Sequence, residues 1–176
     1  MAMGFPIIPL FGLLIEVAAV LGIIYGVRYI VKEYKQTKAN GDQTAKRWYK
    51  IIIIFVIIAI ASWILNMGWF RVFLTWIALP FIHTVAFLLI NMKSAKRVSS
   101  YKKLKKYMIL SCMTYLLPYL LFPDGGDGGG MYLFFTLIRN DTVANVMMYI
   151  APIIFVVNIA VLILEYFELK KCKSQS

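Results

Sequence analysis

The sequence alternates between long apolar runs and short charged blocks. Continuous hydrophobic stretches occupy residues 5–31, 51–70, 72–92, 107–122 and 146–168, and nearly all the lysines and arginines fall between them. A length of about 20 apolar residues crosses the hydrocarbon of a bilayer, so each run has the reach of a span, the first with room to tilt and the fourth short. No pattern of alternating residues suggests a barrel. Helices then satisfy every backbone group internally, and the expected fold class is an all-α polytopic membrane protein built as a five-helix transmembrane bundle. Spans and loops use the whole chain of 176 residues, which leaves a single transmembrane domain.

The charged blocks orient the bundle. The cytoplasmic basic loops are assigned to residues 32–50 and 93–106; with their flanks they carry seven Lys or Arg each, and the tail adds three. Only Arg71 and Arg139 fall on the other side. The positive-inside rule therefore puts the N-terminus outside and the C-terminus in the cytoplasm, with residues 123–145 as an external glycine-rich loop. Trp48 and Tyr49 sit at the inner boundary, while Trp63, Trp69 and Trp76 gather near the outer turn, as expected of interfacial aromatics. The opening "MAMGFPIIPLFGLL" has no basic region ahead of its apolar run, so it reads as a retained first helix rather than a cleaved signal. Ala2 stands where myristoylation needs glycine.

Composition agrees with that picture. The chain is 61% hydrophobic and 15% charged, with a mean hydropathy of +0.77; soluble domains usually carry about 25% charged residues. The net charge of +11 is largely the inside bias itself. Lys102, Lys103, Lys105 and Lys106 in "KKLKKY" form the densest patch, suited to anionic lipid headgroups or a cytosolic protein partner. Nucleic acid is not an expected partner. A cell membrane is the expected location, and the Ile-, Lys- and Tyr-rich composition points to a bacterial inner membrane.

Ionisable groups inside a span cost about 2.5–3.5 kcal/mol on insertion scales, so each marks a candidate site. Glu16, the lone His83 and Asn158 come out at comparable depth in the first, third and fifth spans. Glu165 follows Asn158 by seven residues on the same helical face. Together these four form an expected intramembrane polar cluster. It reads either as a proton-coupled or pH-sensitive element or as interhelical hydrogen-bonding glue. Lys170 is placed to screen Glu165 at the inner interface. Ala18, Gly22 and Gly26 repeat every four residues, a smooth stripe for helix packing or for contact between copies in a homo-oligomer.

The stretch "PDGGDGGG" combines turn-forming glycines with Asp124 and Asp127. It lacks the EF-hand spacing and the lysine of a phosphate loop. Asp124, Asp127, Arg139 and Asp141, with Arg71 from the other outer turn, are expected to form a polar cap on the outside, and "MYLFFTLI" an interfacial or partly inserted helix. Asp141 or Thr142 is placed to cap the last helix. Asn140 opens an "NDT" sequon. Cys112 and Cys172 show no CxxC or metal spacing, and no metal or cofactor is expected. No catalytic motif is found, so the protein is expected not to be an enzyme. The expected function is that of a membrane protein acting by assembly, as a homo-oligomeric channel-like or sensor/effector component. The alternatives are a small solute transporter or its substrate-binding subunit, and an accessory or immunity-type protein docking a cytosolic partner.

Overall fold

The computed structural model describes residues 25, 26, 28, 29, 31–36, 42–66, 68–76, 78–124 and 130–174, and these are mostly helical. Most of the expected first span, with Glu16, Ala18 and Gly22, lies outside the described residues, as does Asp127.

Helix α1 spans Gln43–Leu65. It begins eight residues before the apolar run because Asp42 caps it, its Oδ1 accepting from the Thr44 and Ala45 amides at 2.9 and 3.0 Å. The expected third span is corrected: it is broken into α2 (Trp69–Trp76) and α3 (Leu79–Ala95). Pro80 is the reason, since it lacks an N–H and its ring clashes with the carbonyl four residues back. Ala78 makes the break in the left-handed region, at φ 57°.

Helix α4 (Lys102–Leu121) starts five residues before the expected fourth span, straight after a turn over residues 96–100. It ends where Pro123 forces Phe122 into extended backbone. Helix α5, Asp141–Ser174, is longer at both ends than the span read from sequence. Asn140 caps it, its Oδ1 accepting from the Val143 amide at 3.1 Å, so neither Asp141 nor Thr142 is the cap.

The segment after the glycines is a second correction. Instead of an interfacial helix it forms a small antiparallel hairpin, β1 (Tyr132–Leu133) and β2 (Ile138–Arg139), in register Tyr132↔Arg139 and Leu133↔Ile138. Phe134, Phe135 and Thr136 in its turn all have positive φ, which no right-handed helix tolerates. Reciprocal backbone hydrogen bonds between Asp124 and Tyr132 hold the hairpin to the end of α4.

Helices α3 and α4 form the middle of the bundle, with α1 on one flank and α5 on the other. Phe87 and Tyr115 stack at 3.9 Å where α3 meets α4, and Tyr49, Ile52, Met92 and Met108 belong to the same core cluster, all essentially inaccessible. The helices alternate in direction. One end holds Asp42, Ser99, Tyr101 and Glu168, tied by Ser99–Asp42 and Tyr101–Glu168 hydrogen bonds. The other holds Asn66, Arg71, Asp124 and the hairpin, with the Thr136 amide donating to Asn66 Oδ1 at 2.6 Å.

Polarity is inverted relative to a water-soluble protein. Ser62, Asn66, Arg71, Asn91, Ser94, Ser111, Asn158 and Glu165 are fully buried. Ile57, Ile64, Ile153 and Val156 face outward at 60%, 60%, 63% and 64% exposure. A soluble monomer rarely exposes contiguous apolar surface on this scale. Among the described residues, two helices, Gln43–Leu65 and Asp141–Cys172, are long and apolar enough to cross a membrane, and Leu79–Ala95 is a shorter apolar helix.

Candidate functional site

On α5, residues Ala144, Ala151, Asn158 and Glu165 recur every seven positions, and all four are buried. That spacing keeps one seam facing a partner helix along two heptads and more. The seam is small at the hairpin end and polar toward the other, so α4 and α3 approach closely and then meet hydrogen-bonding groups. Their own polar residues face it: His83, Asn91 and Ser94 on α3, and Ser111, Thr114 and Tyr119 on α4.

Asn158 is the hub. Its Nδ2 donates to the Ser111 carbonyl at 2.9 Å and to Thr114 Oγ1 at 2.8 Å. A backbone carbonyl only accepts, so this fixes the amide and turns Oδ1 toward His83 Nε2 at 2.7 Å. His83 Nε2 must then carry the hydrogen. Its Nδ1 lies 3.0 Å from the Tyr119 hydroxyl, which also sits 3.3 Å from the Pro80 carbonyl.

This geometry accommodates both states of the ring. With His83 neutral, Tyr119 donates to Nδ1; with His83 protonated, both ring nitrogens donate and Tyr119 turns its hydrogen to Pro80. Thr84 Oγ1, 2.9 Å from the Tyr115 hydroxyl and 3.4 Å from that of Tyr119, extends the network. The His83 ring packs on Phe155 at 4.4 Å between centroids. His83 and Asn158 are thus in direct contact, while Glu16, expected at the same depth, lies outside the described residues.

Glu165 lies two turns farther along α5. It is fully buried and forms no ion pair with Lys170, whose ammonium lies 6.0 Å over the Tyr166 ring instead. The carboxylate has the Ser94 and Ser111 hydroxyls beside it, neither in hydrogen-bond geometry. Asn91 donates from Nδ2 to the Phe87 carbonyl at 3.1 Å and to Ser111 Oγ at 2.9 Å, so Ser111 links this pocket to Asn158.

A second polar group closes the hairpin end. Arg71 is fully buried; its Nη1 donates to the Ser62 carbonyl at 2.8 Å, and its Nη2 to the carbonyls of Tyr119 and Phe122 at 3.2 and 2.5 Å. The Tyr119 carbonyl, whose helical partner would be the amide of residue 123, a proline, accepts from the Ser62 hydroxyl at 2.7 Å as well as from Arg71. Asp124 Oδ2 accepts from the Gly68 and Arg71 amides at 3.0 and 2.8 Å, capping α2 from another element. Arg71 and Asp124 therefore do share a cap. Arg139 does not join it: it is exposed and stacks on Tyr132 at 5.4 Å.

Lys102, Lys103, Lys105 and Lys106 are all exposed on the first turns of α4. Gly26 lines an apolar cleft of about 520 Å³ shared with α1, α3 and α4, and nothing lies within 4 Å of where its Cβ would stand. Cys112 is buried, and among the described residues no three His, Cys, Asp or Glu side chains gather as a metal site.

Sequence reasoning passed over Asn91, Ser94, Ser111, Thr114 and Tyr119. The signal was available: Ser111, Thr114, Tyr115 and Tyr119 stand at i, i+3, i+4 and i+8, a polar stripe on an apolar helix. No family model, curated protein or solved structure matches this chain.

Proposed function

We propose that the chain is a five-span membrane protein with an external N-terminus and a cytoplasmic C-terminus. On this reading it works without covalent chemistry, as a homo-oligomeric channel-like or sensor/effector component. Its responsive element is the His83–Asn158–Tyr119 layer, and the observation that carries the reading is the two-way satisfaction of His83 at the heart of an inverted bundle. A hydrogen-bonded imidazole that is satisfied in either protonation state can change state without unfolding its surroundings. The exposed lysines at the start of α4 are the proposed contact for anionic headgroups.

The test is reconstitution of the purified protein in lipid vesicles, with oligomer size and ion permeability followed between about pH 5 and pH 8, the window in which a histidine titrates. The reading expects a transition that His83→Gln abolishes while the variant still inserts. Identical behaviour of wild type and variant across that range refutes it. One observation favours transport of a small solute as a second reading: the break between α2 and α3 beside Pro80 is the kind of discontinuous helix on which transporter sites are built. Ligand-induced thermal stabilisation of a monomer would single it out.

A further inference from the structure

The pocket around Glu165 has chemistry that the His83 layer does not use. Four oxygen-bearing side chains with no accessible surface are linked there: Ser94 and Ser111 stand beside the Glu165 carboxylate, and Asn91 is hydrogen-bonded to Ser111. Both carboxylate oxygens of Glu165, Oδ1 of Asn91 and Oγ of Ser94 lack any hydrogen-bond partner. The Asn91 amide cannot relieve this by turning over, because its Nδ2 is committed to the Phe87 carbonyl and to Ser111 Oγ. No lysine or arginine forms an ion pair with Glu165 among the described residues.

A fully buried carboxylate with no opposite charge beside it is among the most costly arrangements a protein can hold, and an unsatisfied acceptor next to it adds to the cost. The Ser94 and Ser111 hydroxyls beside the carboxylate can each turn one hydrogen toward it, but neither neutralises its charge, and the Asn91 oxygen still lacks a donor. Hydroxyl, amide and carboxylate oxygens are hard ligands, suited to alkali and alkaline-earth ions rather than to zinc or copper. The single negative charge matches a monovalent ion, leaving the filled pocket neutral inside an apolar bundle. Calcium takes six to eight oxygens and usually several carboxylates, which these residues do not supply.

We propose that Glu165, Asn91, Ser94 and Ser111 form a binding site for a small monovalent cation of the sodium class. The site stands on its own unpartnered oxygens and does not depend on the His83 layer being a switch.

The test is thermal unfolding of the full chain in mild detergent at slightly alkaline pH, titrating sodium or lithium chloride against choline chloride at constant ionic strength. The proposal expects saturable stabilisation by sodium and lithium over choline, since an ion that binds only the folded state raises its stability by mass action. Glu165→Gln, which keeps shape and removes charge, should abolish the dependence. Ser94→Ala, a gentler change, should weaken the half-saturating concentration about tenfold, the equivalent of one lost ligand contact worth about 1.4 kcal/mol. Sodium NMR line broadening that wild type shows and Glu165→Gln lacks would support the same site. Equal unfolding in all three salts overturns the proposal and leaves Glu165 a neutral acid. So does a sodium effect that persists unchanged in Glu165→Gln.

Discussion

Replacing Asn158 by leucine removes the centre of the polar layer while keeping approximate size. Three hydrogen bonds are lost, to His83, the Ser111 carbonyl and Thr114. Interhelical hydrogen bonds in membranes average about 0.6 kcal/mol each, so the bonds alone account for about 2 kcal/mol. The His83 Nε2–H is then left facing a methyl group, and an unmatched buried donor costs about 1–3 kcal/mol more. Leucine recovers part of this by burying apolar atoms, and the expected net loss is about 2–4 kcal/mol. Equilibrium unfolding in mixed detergent micelles, followed by the fluorescence of Trp63, which packs edge-on against Tyr119 at 5.6 Å, reads the effect directly. A double-mutant cycle sharpens it: His83→Phe combined with Asn158→Leu should cost less than the two single changes together, with a coupling of about 1 kcal/mol or more. An Asn158→Leu protein as stable as wild type, with no coupling to His83, refutes the account of the layer as a connected unit.

Arg71→Met should destabilise by about 3–5 kcal/mol, the range for breaking a buried charge network, and Arg71→Lys should recover only part of it because one ammonium cannot reach the Ser62, Tyr119 and Phe122 carbonyls as a fork does. Ala78→Gly relieves a left-handed backbone and should stabilise by about 0.5–1 kcal/mol, while Ala78→Val should destabilise, both read by the same unfolding assay. At the opposite end, the hydrogen bond to Glu168 raises the Tyr101 hydroxyl above its ordinary 10.0. A raised folded value means that the tie is fully present below the ordinary tyrosine range and is lost as pH rises through the folded value. Alkaline titration should therefore loosen the α4–α5 end above that range, seen as faster amide exchange, and Tyr101→Phe should remove the alkaline step.

Much of this architecture is written in residue type and spacing. The seven-residue interval from Asn158 to Glu165 and the isolated His83 identified polar groups on what proved to be facing surfaces, because a charge or amide in an apolar run has few places to go. Depth could be counted along each segment, and it brought His83 to Asn158. Azimuth could not, which is why the intermediary residues Ser111, Thr114 and Tyr119 escaped notice: singly, each is an ordinary helix residue, and only their shared stripe on α4 reveals them. The broken third segment was foreshadowed by Pro80, but the left-handed Ala78 beside it has no local signature. The hairpin at Tyr132–Arg139 defeated pattern reading because "MYLFFTLI" is apolar in every phase, and its pairing depends on Asp124 across the glycines. Arg71 was assigned to a solvated outer turn. Its burial rests on three carbonyls at the helix ends, those of Ser62, Tyr119 and Phe122, which come together only in the folded bundle.

The central claim is that lipid surrounds an inverted bundle whose two ends lie on opposite sides of a membrane. Cysteine accessibility tests it most directly, using Ser99→Cys and Ile138→Cys separately in a background where Cys172 is serine and Cys112 stays buried. A membrane-impermeant thiol reagent applied to intact cells should label the cysteine at position 138 and reach the one at position 99 only after lysis. Labelling of both positions from the same side, or recovery of the labelled protein from the soluble fraction, contradicts the account.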